Sequence, residues 1–167
     1  MSNNWLQPDW EPGTSINKLP IEHFIKQGIK ALIIDVDKTL VSSNEKIIDK
    51  SVIEWVDQAR NHLNIHLLSN NPSKKRISYI AKQINSDYTF RANKPSRKSA
   101  INIINKLRLD PFKIAIIGDR IFTDILLGNR LGLYTVLITP LKSKGELDEK
   151  CYLQYIEKRI ASILGAK

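Results

Sequence analysis

The strongest constraint on this chain is residues 31–41, Ala-Leu-Ile-Ile-Asp-Val-Asp-Lys-Thr-Leu-Val. The apolar run Ala31–Ile34 stops at two acids, Asp35 and Asp37, with Thr39 just behind them. An unbroken run this short reads as a strand buried on both faces, the habit of parallel sheets. Such a strand carries its last side chains to the C-terminal edge of the sheet, where open α/β sheets bind ligands. By itself, Asp-x-Asp is just as readily an acidic turn in water. Three later stretches decide for the binding reading.

In chain order, residues 21–29 predict a short helix closed by Gly28. Residues 47–62 carry Ile48, Val52, Trp55, Val56 and Ala59 at helical spacing. The strand Ile65–Leu68 ends in Ser69-Asn70-Asn71-Pro72, and a helix over Lys74–Ile84 turns Ile77, Ile80, Ala81 and Ile84 inward. Tyr88–Phe90 reads as a third strand, followed by Arg91-Ala92-Asn93-Lys94-Pro95 and a helix over 96–107. Ile114–Ile117 is the fourth strand, running into Gly118-Asp119 and then a helix that contains Asp124 and ends at Gly128 or Leu131. Tyr134–Ile138 is the fifth strand, and 148–164 closes the chain as an amphipathic helix with Leu153, Ile156, Ile160 and Ile163 inward.

Strands alternating with helices specify a three-layer, Rossmann-like α/β sandwich around a parallel sheet. The expected strand order is 3-2-1-4-5, which sets Asp35 and Asp119 across one crevice at the switch point. Residues 21–167 are expected to form this single domain. Residues 1–20, with Trp5, Trp10 and three prolines, are expected to be an irregular arm. The two tryptophans suit either a membrane interface or packing back onto the domain, and packing is the preferred reading.

The 167 residues carry a net charge of +9, a field that favours anionic partners without choosing among them. One cysteine, Cys151, excludes an intrachain disulfide and a cysteine metal cluster. No apolar run is long enough to span a bilayer, and the N-terminus has no secretory signal pattern. A cytoplasmic protein, at most peripheral on the inner face of a membrane, is expected.

The ordered set Asp-x-Asp-x-Thr, Ser-Asn, Lys-Pro and Gly-Asp-x-x-x-Thr-Asp resembles the haloacid dehalogenase (HAD) superfamily of phosphohydrolases, over about residues 30–140. More narrowly, Gly28-Ile29-Lys30, Ser-Asn-Asn-Pro, Gly-Asp-Arg-Ile-Phe-Thr-Asp-Ile, Gly128-Asn129-Arg130 and Pro140-Leu141 are similar to the YqeG-type subclass IIIA phosphatases. Lys38 departs from that subgroup, which usually has Asn there; its side chain is expected to point away from the site.

The resemblance implies a Mg²⁺-dependent phosphomonoester hydrolase. Asp35 is the expected nucleophile, forming an aspartyl-phosphate, and Asp37 the acid and base for leaving group and water. The phosphate-binding set is Ser69, Asn70, Lys94 and Thr39, the last supporting its loop through its hydroxyl. Carboxylates crowded beside a phosphate call for a hard cation with oxygen ligands. Asp35 and Asp119 are the expected side-chain ligands and Asp37 lends its carbonyl. Asp124 holds a metal-bound water or orients Lys94, or else caps its helix. Lys74, Lys75, Arg76, Arg91, Arg97, Lys98 and Arg120 form a basic rim around these loops.

Only 28 residues lie between Leu40 and Ser69, so no cap domain is expected and the site should be open. Openness, charge and the subgroup resemblance together favour phosphatidylglycerophosphate at an anionic membrane, with phosphatidylglycerol as product. The alternatives are a soluble sugar, nucleotide or nucleic-acid-end phosphate, or a non-catalytic receiver-like or scaffold domain. A nucleic-acid partner is not expected, because few aromatic residues interleave the basic rim.

Overall fold

The structure, a computed structural model, describes residues 5–42, 45–142 and 149–166. Five parallel strands, β1 (Ala31–Ile34), β2 (Asn64–Leu68), β3 (Asp87–Thr89), β4 (Ile114–Gly118) and β5 (Tyr134–Leu137), form one sheet. The order is β3-β2-β1-β4-β5, as the alternation of elements predicts. Ile34 is level with Leu67 on one side and Ile117 on the other, so the loops after β1, β2 and β4 leave the sheet at nearly the same height.

Successive side chains on β1 face opposite ways. Leu32 and Ile34 pack with Val52, Trp55 and Val56 of α2 (Lys50–Arg60) and Ile77 and Ile80 of α3 (Lys74–Gln83). Phe24 of α1 (Ile21–Lys26) belongs to the same core. Ala31 and Ile33 pack the other way, with Ile103 and Ile104 of α4 (Lys98–Leu107) and Leu127 of α5 (Leu126–Leu131). Helices on both faces explain why β1 and β4 are buried at every position. A π-helical turn, Ile121–Ile125, leads into α5. At Gly128 a Cβ would sit 2.4 Å from methyls of Ile116 and Thr135, so α5 approaches the sheet as closely as only glycine allows.

Residues 5–20 pack onto the domain, with Ile16 and Leu19 in its core. Trp10 N donates to Thr135 O and Leu137 N donates to Trp10 O, both at 3.0 Å, adding a single bridged residue beside β5. The Asp9 carboxylate accepts from Thr135 N at 2.7 Å. The Trp10 ring stacks on His23 with centroids 3.8 Å apart, and Ile16 and Leu19 are buried. Trp10 thus packs back onto the domain, while Trp5 stays exposed. Residues 1–4 of the expected arm lie outside the described residues.

The closing helix, α6 (Glu149–Ile163), is turned the other way from its predicted face. Leu153, Ile160 and Ile163 are exposed, whereas Glu157 and Ala161 are buried. Polar bonds at Gln154 and Glu157, described below, select this face against the apolar stripe. Residue 148 of the predicted helix lies outside the described residues.

Candidate active site

The ends of β1 and β4 meet at a small crevice of about 150 Å³, lined by Asp35, Asp37, Lys38, Asn70, Lys94, Asp119, Arg120, Thr123 and Asp124. Asp35 extends the β1 ladder by one residue, its N–H donating to Ile117 O at 2.9 Å. That bond seats its carboxylate beside Asp119, the first residue after β4. Asp35, Asp119 and Asp124 are all buried, with an oxygen from each lying within 4.8 Å of the others. Asp124 reaches this cluster because residue 118 is glycine: a Cβ there would lie 2.3 Å from Asp124 Cγ and 2.4 Å from Oδ2.

Lys94 is the buried counter-charge. Its Nζ donates to Asp35 Oδ1 and, at 2.7 Å, to Asp124 Oδ1. Asp124 thus pairs with Lys94 while also lying in the carboxylate cluster. Asn70 holds Lys94 by its backbone: Lys94 N donates to Asn70 Oδ1 at 2.7 Å, and Asn70 Nδ2 donates to Lys94 O at 3.0 Å. The amide expected on a phosphoryl oxygen is therefore engaged with Lys94, although its Nδ2 retains a second N–H.

Asp37 stands apart from this cluster, half-buried, and pairs with Arg76 of α3, Nη1 to Oδ1, at 2.7 Å. Asn71 Nδ2 reaches Asp37 Oδ2 at 3.4 Å. Arg76 was legible only as one member of the basic rim; no local pattern singles it out. Ser69 is wholly buried, and its Oγ accepts from Asn71 N at 3.0 Å, which leaves the hydroxyl proton to donate elsewhere. Thr39 is buried beneath the loop, does not line the crevice, and its Oγ1 has no hydrogen-bond partner among the described residues. The loop support expected from that hydroxyl is supplied by backbone bonds to Val36 O from Leu40 N at 2.9 Å and from Thr39 N at 3.3 Å.

Lys38 lines the crevice, against the expectation that it points away. Its φ of +64° is a left-handed conformation that Asn tolerates far better than Lys, a backbone reason for the Asn usual in the subgroup. Behind the β4 loop, α6 supplies contacts that sequence reasoning missed. Gln154 Nε2 donates to Asp119 O at 2.9 Å. Glu157 accepts from Arg120 Nε at 2.6 Å and from Ile121 N at 2.9 Å. The signal for Glu157 would have been a charged residue interrupting the helix face beside Ala161.

Burial and crowding set the protonation states. Asp35 is raised to about 7, first by burial and then by Asp124, with Lys94 opposing. Asp119 is raised to about 8 by burial, Asp35 and Asp124, against the pull of Lys38 and Arg120. Burial works against the Lys94 ammonium, but Asp124 and Asp35 outweigh it and hold the proton more firmly than usual.

A divalent cation fits this donor set. Three buried carboxylates against a single buried ammonium leave two negative charges once all are ionised. The donors are hard oxygens, the kind that Mg²⁺ takes.

Comparison with known proteins identifies the family. The family model described as mitochondrial PGP phosphatase matches residues 7–141. The chain belongs to that family. It is 28% identical over 147 residues to a Bacillus subtilis protein named "Probable phosphatase YqeG", an alignment covering 87% of this chain and 84% of that one. Among solved structures, an uncharacterized Listeria monocytogenes protein matches with a TM-score of 0.57 at 14% identity, covering 71% of this chain and 85% of that one. A Legionella pneumophila protein named as a HAD superfamily, subfamily III A, hydrolase matches with a TM-score of 0.52 at 16% identity, covering 84% and 93%. The protein is accordingly a phosphatase of that family, similar to YqeG, with a sheet that shares the fold of the Legionella HAD hydrolase.

Proposed function

We propose that this phosphatase hydrolyses phosphatidylglycerophosphate to phosphatidylglycerol, with Mg²⁺ held by Asp35, Asp119 and the Asp37 carbonyl. The observation that carries the chemistry is the Lys94 ammonium seated between Asp35 and Asp124, in the crevice that Asp119 also lines. When bound, the cation neutralises the phosphate and keeps the buried carboxylates ionised.

An ionised Asp35 oxygen attacks phosphorus in line; the phosphorus–oxygen ester bond breaks and its electrons pass to the leaving alkoxide. Asp37, outside the buried cluster and aligned by Arg76, gives that alkoxide a proton. It then takes one from the water that attacks the aspartyl-phosphate, which releases phosphate and restores Asp35. Lys94 steadies the negative charge through both steps, with the free N–H of Asn70 and the Ser69 hydroxyl as further donors to phosphoryl oxygens. Asp124 keeps Lys94 in place.

Three observations support a lipid substrate: the description of the family, the relation to YqeG, and a crevice over which the described residues place no inserted domain. No described helix is long and apolar enough to cross a membrane, so the enzyme would meet a lipid from the aqueous side, as a peripheral protein. The test is Mg²⁺-dependent phosphate release from phosphatidylglycerophosphate in mixed micelles beside a panel of soluble phosphomonoesters, for wild type and Asp35→Asn. Preference for the lipid, abolished in the variant, is expected. Release from soluble esters alone would overturn the lipid assignment, and release unaffected by Asp35→Asn would overturn the mechanism.

A further inference from the structure

A second and larger cavity, about 510 Å³, lies on α3 and is lined by Lys46, Ser73, Lys75, Arg76, Ser78, Tyr79 and Lys82. Lys75, Ser78 or Tyr79, and Lys82 recur at three-, four- and seven-residue intervals, one face of the helix. Lys46 lines it from outside the helix, on a 45–48 segment tied to α3 at both ends. Arg76 Nη2 donates to Glu45 O at 2.9 Å. Farther along, Gln83 Nε2 donates to Lys46 O at 2.7 Å while its Oε1 accepts from Ile48 N at 3.0 Å.

Lys46, Lys75 and Lys82 are exposed, and no described carboxylate pairs with any of them. No carboxylate lines the cavity either. Arg76 lines it while also holding Asp37, so a single guanidinium joins this groove to the proposed acid of the crevice. Exposed apolar groups accompany the cations: Tyr79, in the lining, is 47% exposed, and Ile47, next to Lys46 in sequence, is 62% exposed.

We infer that this groove is a docking site for the phosphodiester headgroups of anionic lipids at a bilayer surface, beside the lipid being hydrolysed. The inference rests on the lipid reading above and deepens it. Charge complementarity selects an anion. The choice of a surface over a small free anion follows from the donors, which are long, exposed lysines, two along α3 and one on the 45–48 segment, rather than buried and converging on one point. An aromatic and an aliphatic side chain among lysines fit the headgroup boundary, where the rings and stems enter the apolar edge and the ammonium groups stay wet.

The experiment is flotation with vesicles of phosphatidylcholine alone or with about a quarter phosphatidylserine, a lipid that is neither the proposed substrate nor its product. Wild type is compared with the triple variant Lys46→Ala/Lys75→Ala/Lys82→Ala, and p-nitrophenyl phosphate hydrolysis reports folding and the intact crevice. Wild type is expected to float only with the anionic vesicles. The triple variant should lose about fivefold in partitioning per lysine, roughly a hundredfold in all, with p-nitrophenyl phosphate turnover unchanged. Equal flotation of wild type and variant would overturn the proposal, as would equal flotation with neutral vesicles, or binding to a single-stranded oligonucleotide without binding to vesicles. The two readings fail separately. Anionic flotation without hydrolysis of phosphatidylglycerophosphate would remove the substrate and leave the groove, whereas lipid hydrolysis unchanged in the variant, with no flotation difference, would do the reverse.

Discussion

Asn70 closes a two-bond ring with the backbone of Lys94, accepting from its N–H at 2.7 Å and donating to its carbonyl at 3.0 Å. This clasp ties the loop after β2 to the loop after β3 and sets the depth at which Lys94 enters the crevice. Asn70→Ala removes both bonds, so Lys94 is no longer held at its place between Asp35 and Asp124. We expect kcat to fall about a hundredfold, the scale set by small misplacements of a reacting group. Steady-state phosphate release against p-nitrophenyl phosphate checks this; an unchanged kcat would show that Lys94 is placed by its carboxylates alone.

Gly118→Ala should cost activity per folded molecule, and Gly128→Ala should not. A Cβ at 118 meets the Asp124 carboxyl at 2.3 Å and drives it off Lys94, whereas one at 128 meets only the methyls of Ile116 and Thr135. Each overpacked site should lose about 1–3 kcal/mol of stability. Urea midpoints together with turnover normalised to folded protein separate the two effects.

Glu157→Ala should free the loop that carries Asp119. Glu157 is 2% exposed and is the acceptor for the Ile121 N–H, which the variant leaves buried without a partner. The expected loss is about 1–3 kcal/mol. Hydrogen exchange at Ile121 should speed up in the alanine variant and recover in part in Glu157→Gln, which keeps a carbonyl acceptor.

In the absence of a divalent cation, stability should fall with rising pH. Asp35 and Asp119 sit at about 7 and about 8 in the fold against 3.8 unfolded, so the folded state binds their protons more tightly than the unfolded chain does. Their contribution is complete below the unfolded value and is lost as pH climbs through about 7 and 8. Thermal unfolding in chelator should therefore show a Tm that falls from about pH 4 to about pH 8 and then levels off, and added Mg²⁺ should raise Tm most at the alkaline end. A Mg²⁺ shift that is the same at the acid and alkaline ends of this range would separate the cation from this cluster.

Much of the fold is readable because its rules are local. Ala31–Ile34 and Ile114–Ile117 are unbroken apolar runs followed at once by Asp35 and by Gly118-Asp119, and covalent adjacency alone carries those acids to the sheet edge. Gly118 and Gly128 stand in that sequence for close approaches that only the packed structure displays. The face of α6 was misread for a physical reason. An apolar stripe predicts burial only where nothing more directional competes, and here Glu157 and Gln154 find Arg120, Ile121 N and Asp119 O, each about 35 residues away in sequence.

The amino-acid sequence by itself determined the strand order, the edge on which the site lies, and the identity of the acids gathered there. Periodicity and strand-to-side-chain geometry act within a few residues. Tertiary structure alone decided which charge meets which: Lys94 with Asp35 and Asp124, 59 and 30 residues away, and Arg76 with Asp37. Those pairings depend on distance through space and on removal from water, quantities that exist only once the chain has folded.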